Sequence, residues 1–209
     1  MRVATFALEV CILFLVVGAA VAQDRMPPIP KDKMTEGQRK ALEDVMASRG
    51  PGGAEGPFVP MLRSPELMNR LQTLGEYVRF HNSIGTKLTE FVILLTARQW
   101  TQQYEYEAHQ PLALKAGVNQ ETISAVTDGR RPTAMAADEE IVYDFCTELR
   151  QNQSISDATY ARAVSKFGEQ GVVDMTGLVG YYTTLAMIMN VARSPLPNGK
   201  KAPLAPFPH

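Results

Sequence analysis

The side chains best suited to chemistry lie in one segment, from Glu90 to His109. Glu90 sits inside Lys87 to Trp100, KLTEFVILLTARQW, flanked by Leu88, Phe91, Val92, Ile93 and Leu94. A carboxylate in such surroundings loses hydration worth several kcal/mol, so it must protonate or find a hydrogen-bonding or cationic partner. The alternative is that Glu90 points outward through a narrow polar seam with Thr86, Lys87 and Thr89. The next segment reads Tyr104-Glu105-Tyr106-Glu107-Ala108-His109. Glu105 and His109 are four apart, share a helix face and can exchange a hydrogen bond. A neighbouring carboxylate favours the charged imidazole and sets its tautomer, which suits a proton shuttle near neutral pH. The same spacing also describes a solvated surface pair.

Other chemistries have less to work with. There is no Gly-rich phosphate loop, HExxH, nucleophile elbow or paired CxxC. His81, His109 and His209 show no close metal-ligand pairing. With 21 basic and 22 acidic residues, a net charge of −1 and a pI near 6.3, the chain has no global field for nucleic acid or anionic lipid.

The elements that must position these groups read as helices. Thr35-Glu36-Gly37-Gln38 has capping-box spacing, with Ala41, Leu42, Val45 and Met46 following at helical intervals until Gly50. Residues 50–60 read as a loop. Ser64-Pro65 supplies a capping hydroxyl and a first-turn proline for a helix to about Phe80, with Leu67, Leu71, Leu74 and Val78 on one stripe. Helices follow over 87–100 and 102–116, and from the Asn119 cap to Val126. Three more cover about 137–150, 156–167 and 172–191, where Gly177 and Gly180 would let another backbone approach closely. No segment alternates with period two. The expectation is an all-α fold of seven or eight helices. Two of them, 87–100 and 172–191, are so apolar that a homo-oligomer is expected to cover them.

Both ends have their own character. Arg2, the apolar stretch Phe6 to Ala22 and the small-x-small Ala20-Val21-Ala22 read as a signal peptide over 1–22, hence export to the periplasm or beyond. The alternative is an uncleaved N-terminal anchor; cleavage after Ala22 would remove Cys11 and leave Cys146 as the single thiol. Flanked by Tyr143, Phe145 and Leu149, Cys146 reads as a small buried apolar residue. Residues 23–63 form a leader with one helix, 64–193 the main helical domain, and 194–209 a loose Pro-rich tail. Asn152-Gln153-Ser154 is a glycosylation sequon, meaningful only in a eukaryotic secretory pathway.

On these residues the chain resembles the carboxymuconolactone decarboxylase family, which includes the AhpD proteins. In the AhpD branch a glutamate is followed twelve residues later by Cys-x-x-Cys, and a histidine stands four beyond the second cysteine. Here Glu90 is followed by Gln102, Glu105 and His109 at that spacing, with both cysteines replaced. The decarboxylase branch carries a glutamate four before its histidine, as Glu105 stands to His109. Leu112, Ala113, Ala116-Gly117-Val118 and Ile123 extend the similarity, which covers about residues 64–131.

The resemblance implies an AhpD-like helical bundle, a trimer or hexamer, and no cofactor. It implies His109 as general acid/base, Glu90 orienting it or exchanging protons with it, and Glu105 at a catalytic position. Gln102 takes the place of the first cysteine and is expected at the substrate. A dithiol relay needs two neighbouring thiols, so the AhpD-type peroxide chemistry is disfavoured. A family decarboxylase would bind a small carboxylated lactone, release carbon dioxide and return a proton, with His109 as imidazolium the donor. It also needs a carboxylate-binding cation. Arg98, or Arg130 and Arg131, are the candidates, while Trp100 and Tyr104 would wall the pocket. The rival readings are a thiol-dependent antioxidant using Cys146 and a non-catalytic exported binding or assembly module.

Overall fold

A computed structural model describes residues 24–50, 54–197 and 200–206; the signal segment 1–22 and His209 lie outside them. The described residues are helical without a strand: a 3-10 turn, Lys31–Lys33, then α1 Glu36–Arg49, α2 Phe58–Met61, α3 Pro65–Phe80 and α4 Thr86–Gln99. They continue through α5 Gln103–Lys115, α6 Gln120–Thr127, α7 Ala137–Asn152 and α8 Asp157–Ala192. The all-α expectation holds.

Local chemistry accounts for most boundaries. Thr35 and Gln38 form the capping box of α1, and Asn119 caps α6 by accepting from the Glu121 amide at 2.8 Å. Ser64 does not cap α3; Pro65 at its first position starts that helix instead. Within 50–60, read as loop, the four-residue α2 forms and buries Phe58, Pro60 and Met61. The two helices expected over 156–191 run together as α8, broken at Gly168, whose φ of 71° and ψ of 173° are not helical. At that φ glycine is the residue that bends without strain.

Helix α4 is the axis. Phe91, Val92, Ile93, Leu94 and Ala97 are fully buried, each large one contributing about 1.5–3 kcal/mol of burial. It packs against α3, α5, α6, α7 and α8. Helix α8 is long and apolar enough to cross a membrane by length and composition. Its Leu178, Tyr181, Tyr182, Leu185 and Met189 are nevertheless buried in the protein core.

Packing departs from the expected stripes at α3. Leu67 and Leu74 are exposed, and the buried residues are Met68, Gly75 and Val78. Gly75 is the reason: a β-carbon there would overlap the Tyr181 phenol, so α3 turns this face to α8. The glycines expected to admit a backbone do not. A β-carbon at Gly177 would meet the Val78 side chain at 3.7 Å, and at Gly180 it would meet nothing within 4 Å.

The two ends are tied down. The Arg25 amide donates to the Ala192 carbonyl at 2.8 Å and the Arg63 guanidinium to the Pro27 carbonyl at 2.7 Å. Far from loose, the tail has Leu204 buried, its amide and carbonyl both paired with the Gln103 side chain at 2.9 and 2.8 Å. Lys200 meets Glu107 at 2.6 Å. Gly75→Ala is expected to lower stability by about 1–3 kcal/mol through overpacking. Gly37→Ala, with open space around it, should be neutral or stabilising by about 1 kcal/mol or less. Urea denaturation of both variants measures the difference.

Candidate functional site

Glu90 lies one turn into α4, and Gln102 starts α5 so that His109, two turns on, faces it. The turn between them is tight: Thr101 takes a φ of 46°. The Gln102 side-chain oxygen caps α5 by accepting from the Tyr104 and Glu105 amides at 2.8 and 3.4 Å. Its amide nitrogen donates to Asn190 Oδ1 at 2.8 Å, and Asn190 donates back to the Trp100 carbonyl at 2.9 Å. Gln102 therefore holds the turn onto α8 and does not line the cavity beside His109.

Glu90 is buried, not turned outward, and its Oε2 lies 2.6 Å from His109 Nδ1. Arg79 Nη2 stands 3.6 Å from the other oxygen, so the carboxylate lies between a ring nitrogen and a guanidinium. An ionised carboxylate only accepts, so Nδ1 carries the hydrogen and Nε2 keeps its lone pair. Glu90 stands behind the ring, whose other edge lines a cavity of about 240 Å³. The Tyr182 ring packs edge-on against the imidazole at 5.3 Å and Tyr181 edge-on against Tyr182 at 5.2 Å.

The carboxylate beside His109 is thus Glu90, not Glu105. No hydrogen bond joins Glu105 to the imidazole; its Oε2 is buried without a partner, and its side chain lines the same cavity. Burial raises its pKa well above the usual 4.5, which favours the protonated form, with a hydrogen to donate. His109 moves the other way. Burial lowers its pKa and outweighs the Glu90 hydrogen bond, with Arg79 and Arg49 adding repulsion. The imidazolium expected from the sequence is replaced by a neutral imidazole with a basic Nε2.

Two cations that sequence reading missed complete the site. Arg49, ending α1 over the Phe58 ring at 5.0 Å, and Arg79, near the end of α3, both line the cavity. The Nε of each is buried without a hydrogen-bond partner. Both sit where helices ordinarily carry cations for the macrodipole, so neither stood out. Tyr181 and Tyr182, also missed, carried a usable signal: two adjacent phenols in the most apolar helix.

The other expected residues lie elsewhere. Tyr104 lines the cavity as anticipated. Arg98 does not, because eight residues carry it about 12 Å along α4 from Glu90. It donates to the Ala205 carbonyl at 2.9 Å and lines a separate cavity of about 50 Å³ with Arg130 and Cys146. Trp100 donates to Thr183 at 3.3 Å, outside the site. Arg130 pairs with Asp128 and Arg131 with Asp144. Cys146 is buried, its thiol pushed up to about 12 by burial. Among the described residues no group of three or more His, Cys, Asp and Glu is arranged to hold a metal ion.

No protein-family model and no curated protein matches the chain. Among solved structures, it is similar to the crystal structure of an alkylhydroperoxidase AhpD core, an uncharacterised peroxidase-related protein from Ralstonia eutropha JMP134. The TM-score is 0.66 at 10% identity, over 83% of this chain and 92% of that one. The fold is AhpD-like. At that identity the likeness speaks for the architecture alone. Within this AhpD-like scaffold, positions 102 and 105 carry a helix cap and a buried acid.

Both shifts affect stability. Lowered in the fold, His109 contributes stability present above pH 6.5 and lost as pH falls below it. Raised in the fold, Glu105 contributes stability present below pH 4.5 and lost as pH rises above it. Glu105→Gln should therefore be more stable than the parent at neutral pH, the gain disappearing below pH 4.5. Denaturation across pH tests this. In an NMR titration of His109, Arg79→Gln should raise the pKa and Glu90→Gln should lower it.

Proposed function

We propose that this chain is an exported, homo-oligomeric enzyme of the carboxymuconolactone decarboxylase type. It would perform cofactor-free acid/base chemistry on a small carboxylated lactone. The observation that carries the reading is one cavity lined by His109, Glu105, Arg49 and Arg79, where burial raises the carboxyl's pKa and lowers the imidazole's.

In this reading Arg49 and Arg79 bind the anionic substrate, bidentate pairing being natural to guanidinium groups. When carbon dioxide leaves, the electron pair of the broken carbon–carbon bond moves onto the lactone carbonyl. Glu105, neutral in its buried position, hydrogen-bonds that oxygen and gives its proton to the vacated carbon. His109 Nε2 takes up a proton from solvent and passes it to Glu105, restoring both groups, while Glu90 steadies the transient imidazolium; the net reaction consumes one solvent proton for each carbon dioxide released. Lactone conversion by moving a proton between two atoms uses the same groups. The acid and base roles are thus the reverse of a charged His109 acting as donor.

Export is supported by Arg2, the apolar stretch and Ala20-Val21-Ala22. Association of copies is supported by an apolar groove lined by Leu67, Met187, Ile188 and Val191, three of them exposed side chains. Among the described residues thiol chemistry has Cys146 alone, buried and with its pKa raised to about 12.

The test is turnover of carboxylated lactones, followed as carbon dioxide release. His109→Ala should lower kcat by about 10²–10⁴-fold, and Arg79→Gln should act mainly on KM. A His109→Ala protein as active as the parent overturns the reading. Cys146→Ser should leave all activity unchanged; loss of peroxide reduction in that variant would favour a thiol enzyme. Light scattering of the mature chain should give a multimer, and Leu67→Lys with Val191→Glu a smaller species.

A further inference from the structure

The cavity beside His109 has a neighbour. A second cavity, of about 330 Å³, lies on the other side of the segment that enters α2, and Glu55 and Tyr104 line both. Phe58 faces the inner chamber and Val59 the outer one. The rest of the outer chamber comes from the leader, Asp24 and Pro28, and from the tail, Ser194 to Pro197. Both segments lie outside residues 64–131.

The partition is held by packing. Gly56, at a φ of 59°, lets the Tyr104 ring lie against the backbone; a β-carbon there would overlap the ring. Among the described residues no hydrogen bond holds the Tyr104 phenol, so packing alone positions the ring. The two chambers also differ in charge. Arg49 and Arg79 line only the inner one, with Glu105 and His109; Asp24 lines only the outer one, which has no cation among the described residues, and Glu55 stands at the junction. Pro28, Val59, Pro195 and Leu196 make the remaining outer wall largely apolar.

We infer that the ligand of this protein spans both chambers: a compact carboxylate head on Arg49 and Arg79, and an uncharged apolar arm reaching past Tyr104 into the outer chamber. Tyr104 is then a specificity-determining residue. Acids bearing a second carboxylate on the arm are rejected, since that charge would meet Asp24 and Glu55. The inference rests on the proposed role of the inner cavity.

The test uses calorimetric binding of benzoate, 4-ethylbenzoate, 4-butylbenzoate and terephthalate to the mature chain. Affinity should rise along the alkyl series by up to about fourfold per methylene, with terephthalate the weakest. Val59→Trp and, independently, Leu196→Trp fill the outer chamber from different segments. Each should abolish the gain from the alkyl arm and leave benzoate affinity within about twofold. Benzoate binding that depends on Arg79 but shows no alkyl gain, or a gain that survives both tryptophans, overturns the two-chamber inference alone. Benzoate that fails to bind, or binds equally to Arg79→Gln, overturns the inner-cavity reading and the inference with it.

Discussion

A carboxylate among Leu88, Phe91 and Val92 must be compensated, and His109 Nδ1, 2.6 Å from Glu90, is the compensation. The pair joins α4 to α5. Removing one member of such a buried pair leaves the other uncompensated, at a cost of about 3–5 kcal/mol when both are charged. With Nδ1 committed to Glu90, the imidazole presents Nε2 to the cavity. Orientation, tautomer and basicity all follow from that one contact.

Burial then divides the labour between groups that sequence reading treated as one pair. Glu105 and His109 share a face of α5, yet their environments push them in opposite directions: the acid holds its proton and the base loses one. Two titratable groups driven apart in this way are suited to act as an acid and a base. Arg79 serves both ends, steadying the Glu90 carboxylate and repelling a proton from His109. The scaffold reaches this arrangement without thiols at positions 102 and 105, so an AhpD-like architecture alone does not determine the chemistry.

The helices around the site have secondary duties that explain otherwise odd residues. Gln102 is a cap rather than a ligand, and Asn190 and Trp100 complete its network. Gly75 and Gly56 give up side chains so that Tyr181 and Tyr104 can stand where they do. The leader and tail, which carry little helical signal, close the outer chamber next to Tyr104.

The amino-acid order by itself determined the helices and their ends, because capping hydroxyls, prolines and glycines act within a few residues. It also determined that Glu90 needs a partner, because desolvation is a property of its immediate neighbours. The identity of that partner was within reach through the spacing of Glu90, Glu105 and His109. The contact of Glu90 with His109 was expected from the resemblance; only the tertiary structure decided that Glu105 does not also bond the imidazole, since an i,i+4 spacing permits a bond without directing the side chains. It alone brought Arg49 and Arg79 to the cavity and sent Arg98, Arg130 and Arg131 away. These are contacts between residues far apart in the chain, governed by how α1 and α3 pack beside α5 and α8, and no local pattern records them.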